Sequence, residues 1–93
     1  MMENKVILVF DKSIQRLAGY EFGQSVYQNQ VAGKLDYSQI AYIEFPPEII
    51  KAASSFIQGF FEEIVRAVGV KGLGTQVRLI CSDGLRASIQ EKL

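Results

Sequence analysis

Two adjacent serines, Ser54 and Ser55, stand directly before the strongest apolar stripe in the chain. They are the side chains best placed to carry chemistry. As an N-cap, the Ser55 hydroxyl would accept a bond from a first-turn amide, and Gln58, three residues on, would reach back to complete an S-x-x-Q capping box. Loss of such a cap costs about 1 kcal/mol. The same position suits a modification switch. A helix start offers free N–H groups and the positive end of the dipole. A phosphate on Ser55 would bring about −1.5 to −2 charges to that place, bonding those amides or repelling an acidic partner. The two roles are compatible, because an unmodified cap can also be a switch.

The other reactive residue types point to structure. The chain has no histidine, which removes the commonest general base at neutral pH and the commonest metal ligand. Its single cysteine, Cys81, ends an apolar run with nothing beside it to activate the thiol. We read it as a buried structural residue. Glu62 and Glu63 are neighbours in sequence, so on a helix they do not face each other; they read as a solvated face. Asp11, Asp36 and Asp83 are isolated near turns, where turn and capping roles are common. Gly72-Leu73-Gly74 lacks the third glycine and the following helix of a dinucleotide fingerprint, and reads as a loop. No metal, cofactor or catalytic constellation can be assembled, and we expect no enzyme.

These residues must be positioned by a small number of elements. Residues 6–10 (Val-Ile-Leu-Val-Phe) form a continuous β-branched run, which predicts a strand covered on both faces. From about Ile14 to Val31, apolar residues recur roughly once per turn and predict a helix. Gly19 and Gly23 weaken it by about 1 kcal/mol each, but would let its backbone approach a neighbour closely. Residues 40–45 form a second strand, stopped by Pro46-Pro47. Ile49 and Ile50 in the connection that follows are expected to tuck inward. Ser55 to Val68 is the clearest helix, with Phe56, Ile57, Phe60, Phe61, Ile64, Val65 and Val68 on one broad stripe and Gly69 placed to end it. Residues 76–81 form a third strand. Asp83 then caps a short last helix marked by Leu85, Ile89 and Leu93. Strand and helix alternate three times. This pattern predicts an α/β domain with a small, largely parallel or mixed sheet and helices mainly on one face.

Totals narrow the function. A chain of 93 residues makes one domain, 1–93, with a thin core. Lys plus Arg is 10 and Asp plus Glu is 10, giving zero formal net charge. The basic residues are scattered, so no phosphate-neutralising cluster favours nucleic acid or an acidic membrane surface. One cysteine suits a reducing compartment. The apolar run near the N-terminus is too short for a signal-peptide core or a membrane span. The expected location is the cytoplasm.

At Ser54-Ser55-Phe56 the chain resembles a known family. A strand ending Ile43-Glu44-Phe45, a variable stretch, then Ser54-Ser55-Phe56 and an amphipathic helix ending in Gly are similar to the STAS domain, most of all to the bacterial STAS-like family of unknown function. Gln15-Arg16-Leu17-Ala18-Gly19-Tyr20 resembles that family's Ser-Arg-x-x-Gly-Arg, with Gln15 at its serine and Tyr20 at its second arginine. In the related anti-sigma-factor antagonists the corresponding helix opens with Asp-Ser-Ser-Gly. One of those serines is phosphorylated by a partner kinase of the histidine-kinase-like ATPase fold, which switches partners. Ser55 aligns with the second serine; Ala53 stands at the Asp and Phe56 at the Gly. The resemblance implies a regulatory interaction domain. It would meet its partner through Lys51, Ala53, Ser54, Ser55, Gln58 and Glu62, with Ser55 or Ser54 as the switch and Lys51 helping to hold a phosphate. The alternatives are a nucleotide or small-molecule sensor using the same helix start, and a homodimeric structural subunit.

Overall fold

The computed structural model describes residues 4–92. Three short strands, β1 (Lys5–Ile7), β3 (Ala41–Glu44) and β5 (Val77–Ile80), form an all-parallel sheet in the order β1-β3-β5. Between them in the chain lie β2 (Arg16–Leu17) and α1 (Tyr20–Gln30), then β4 (Lys51–Ala52) and α2 (Ser54–Thr75); α3 (Asp83–Lys92) follows β5. The two-residue strands β2 and β4 pair parallel with each other as a separate small sheet. The molecule is thus the expected α/β domain.

Alternation along the strands places the core on one side of the main sheet. Val6, Leu8, Ala41, Ile43, Phe45 and Val77 are buried, whereas Ile7, Val9, Ile40, Tyr42 and Ile80 on the other face are exposed. The expectation that residues 6–10 are covered on both faces is therefore wrong. Successive crossovers from β1 to β3 to β5 step in one direction, so right-handed connections put the helices on a single side. Ile7 is 60% and Val9 72% exposed as a result. On that open face, Lys5 and Glu44 pair across β1 and β3 at 3.1 Å.

The long helix forms where its stripe predicts it. Phe56, Ile57, Phe60, Phe61 and Ile64 are almost wholly buried, and the Phe60 ring packs against those of Tyr27, Phe45, Phe56 and Phe61. Gly69 leaves helical geometry (φ 76°, ψ 168°), but the chain turns helical again and continues to Thr75. Gly72-Leu73-Gly74 is accordingly helix, not loop, because burial of Leu73 in the core holds that last stretch in place.

The expected helix over residues 14–31 starts only at Tyr20. Its first part is strand: Leu17 is buried beside Ala52, and Gly19 adopts φ 106°, a conformation that breaks any helix before it. The connection after Pro47 contains β4, and only one of its two isoleucines turns inward; Ile49 is buried and Ile50 exposed. Asp83 is not the cap of α3. Ser82 is: its hydroxyl accepts the Leu85 N–H at 3.1 Å and donates to the Ile49 carbonyl at 2.7 Å. Leu85 and Ile89 are buried on that helix, while Leu93 lies outside the described residues.

Candidate functional site

In a parallel sheet the crossover helices run opposite to the strands, so their N-termini gather at the carboxyl edge, where ligands of α/β folds commonly bind. Here α1 and α2 begin side by side. Ala53, extended at φ −76° and ψ 155°, is the N-cap of α2 and contributes no side-chain bond. Ser54 and Ser55 are the first two helical residues. Ser55 is therefore not an N-cap, and no capping box forms with Gln58. The strand pairing of Leu17 with Ala52 explains the offset: the Ala53 N–H bonds the Leu17 carbonyl at 2.8 Å, which brings the chain straight from β4 into the helix.

The half-buried Ser55 hydroxyl has a different partner. It accepts the backbone N–H of Gly19 at 3.0 Å, across to the residue that caps α1. One side-chain oxygen thus ties the starts of two helices together. Their bodies touch just beyond. A methyl group built on Gly59 would collide with the Tyr20 carbonyl oxygen, and one on Gly23 with the Phe56 carbonyl oxygen. The expected close backbone approach is thus made by Gly23. Gly19 has the separate task of supplying the positive φ at the entry to α1.

Ser54, Gln58 and Glu62 follow at i, i+4 and i+8, so they form one row along α2. Ser54 and Gln58 are exposed and Glu62 is half-buried. Glu62 is more than part of a solvated face. Its carboxylate accepts the Tyr20 hydroxyl at 2.7 Å and the Gln24 amide at 3.0 Å. Those bonds, the Tyr20 hydroxyl first, hold its pKa below the ordinary glutamate value, and the same contact pushes the Tyr20 hydroxyl upward. Arg66 adds a loose ion pair to Glu62 at 3.8 Å. Glu63 is exposed and meets Arg66 at 3.6 Å.

Lys51 lies at the near end of this row, on β4, and is exposed. It sits in register with Arg16 of β2, which is also exposed. Like charges directly opposite on a ladder repel, and neither is ion-paired among the described residues. The structure brings all six predicted residues (Lys51, Ala53, Ser54, Ser55, Gln58 and Glu62) onto one continuous stretch, β4 into α2. It adds Arg16, Tyr20 and Gln24 from the first third of the chain. Arg16 stood out in sequence only through the family pattern. Its pairing with Lys51 depends on two strands of two residues each, too short to show periodicity.

The remaining candidates are structural. Asp11 and Asp36 each accept the N–H and hydroxyl of a serine two residues on, Ser13 and Ser38, and these bonds hold both carboxyls below their ordinary range. Cys81 is partly buried, and burial pushes its thiol up, away from the reactive thiolate. Among the described residues, no group of three His, Cys, Asp or Glu side chains is arranged to hold a metal, and no helix is long and apolar enough to cross a membrane. No protein-family model, curated protein or solved structure matches the chain.

Proposed function

We propose that this chain is a STAS-like regulatory interaction domain without catalytic activity, and that it binds a protein partner through the row from Lys51 to Glu62. Ser55 is the switch, and a histidine-kinase-like ATPase is the partner class. The observation that carries this reading is the Ser55–Gly19 bond. A phosphate on the Ser55 oxygen would replace the small hydroxyl acceptor that ties α1 to α2 with a bulky ester and add charge between two helix starts. A change at one atom would then reach both elements that frame the surface. Arg16 and Lys51 lie at the same end of the row and supply positive charge for the phosphate.

Baits carrying wild type, Ser55→Ala and Ser55→Asp, read by mass spectrometry, test the reading. Recovery of an ATPase of that fold by wild type and Ser55→Ala, with loss on Ser55→Asp, supports it. Equal recovery by all three leaves a binding module in which Ser55 is structural. Recovery of no partner by any bait counts against a protein-binding role.

Arg16 and Lys51, exposed and in register with each other, favour one other reading, a nucleotide or small phosphorylated ligand at the same place. A ligand held there at a hundred times its Kd stabilises by about 2.7 kcal/mol. A rise in Tm with nucleotide, lost in Arg16→Gln and Lys51→Gln, would move the assignment from a protein to a small anion.

A further inference from the structure

The far end of α2 carries a second feature, separate from the Ser55 row by most of the helix. The break at Gly69 gives the tail of α2 its own direction. Between that tail, the outer edge of β5 and α3 lies a cleft of about 320 Å³. Val70, Leu73, Leu79 and Ile89 supply apolar walls, and Arg78 and Arg86 supply its charged groups among the described residues. Among the described residues, no carboxylate lines it and neither arginine is ion-paired. The Arg86 guanidinium is held in place, its Nη2 donating to the Leu79 carbonyl at 2.7 Å.

We propose that this cleft binds an apolar carboxylate, a short alkanoic or aryl-alkanoic acid, with the acid group against Arg78 and Arg86 and the hydrocarbon against Val70, Leu73, Leu79 and Ile89. The volume lies at the lower end of the range for small-molecule sites, roughly 300–1,000 Å³. That size suits a body of a few carbons. The guanidinium fork matches a carboxylate in two parallel bonds, and apolar walls select against a bare inorganic anion. An extended peptide fits less well. The carbonyl that would form its rung on the edge of β5 is already occupied by Arg86.

The test is an amide-resolved NMR titration of the whole chain with octanoate, octanamide and inorganic phosphate. Octanoate is expected to give saturable shifts at Leu73, Leu79 and Ile89. Octanamide should bind about tenfold more weakly or worse, as loss of a charge-assisted bond implies. Phosphate should leave those amides unmoved. Arg78→Gln and Arg86→Gln should each weaken octanoate by a similar factor. Arg78 is exposed and, among the described residues, makes no side-chain hydrogen bond, so its variant keeps the test valid if Arg86→Gln disturbs the sheet edge. Octanamide binding as well as octanoate, phosphate binding at the same residues, unchanged affinity in Arg78→Gln, or no saturable shift at millimolar octanoate would each overturn the assignment.

Discussion

At the start of α2 the Ser55 hydroxyl accepts the Gly19 N–H and so ties that helix to the start of α1. The doublet before an apolar stripe was visible in sequence, and so was a structural role for its hydroxyl. The partner was not, because Gly19 is distant in the chain and its N–H is available only once β2 and β4 have paired. The bond is partly buried and joins neutral groups, so its loss should cost about 1 kcal/mol. We expect Ser55→Ala to lower Tm by about 4–8 °C for a domain of this size, and Ser54→Ala, at an exposed position, to stay within about 0.5 kcal/mol of wild type. Differential scanning calorimetry on both variants decides this. Glu62 gives a pH signature. Its folded pKa lies below its unfolded value, so the stability it contributes is present above the ordinary glutamate pKa and is lost as pH falls through the lowered one. Removing the Tyr20 hydroxyl, the main cause, should return that pKa toward the ordinary value. A carboxyl-carbon NMR titration of Tyr20→Phe beside wild type would show the rise, and an unchanged midpoint would contradict it.

The elements differ in how openly the sequence displays them. The first part of α2 repeats its stripe over several turns, and β3 and β5 are β-branched runs with clear stops; all three are where the pattern puts them. The tail of α2 breaks the rule that a glycine ends a helix, because Leu73 finds core to bury in. Strands β2 and β4 have only two residues each, and neither can be read from a period. The crossing of α1 on α2 gives a contrast between glycines. Ala at an open helical glycine should stabilise by about 0.5–1 kcal/mol, and Gly74, with nothing near its absent side chain, is such a position. Gly59→Ala should instead destabilise by about 1–3 kcal/mol or more, since it forces the two helix backbones apart. Urea denaturation of the two variants should move the midpoint in opposite directions; shifts of the same sign would refute the crossing.

At the scale of the whole molecule, the alternation of strands and helices was enough to predict the fold class with helices mainly on one face, although residues 6–10, read by themselves, pointed to a strand covered on both sides. A parallel sheet usually has both faces covered; this one leaves Ile7, Val9, Ile40, Tyr42 and Ile80 in solvent. Substitution on the two faces should therefore differ sharply. Ile43→Ala on the fully buried side is expected to cost about 2–5 kcal/mol, a large share of the roughly 5–15 kcal/mol that holds a domain together. Ile7→Thr on the open side should cost less than about 0.5 kcal/mol, and equilibrium denaturation of both would show whether the open face is as uncovered in solution. In the order β1-β3-β5 the border strands are β1 and β5, and a side chain closes a backbone rung just beyond the first and on the second. The Gln30 side chain, at the end of α1, bonds both the N–H and the carbonyl of Val9 at 2.7 and 2.9 Å, and Arg86 occupies the carbonyl of Leu79 on the opposite border. Each long side chain takes the place a foreign strand would seek. Their removal would therefore matter most in a crowded solution of many copies, where unguarded borders template fibrils and loss of protein to aggregation precedes any loss of folding.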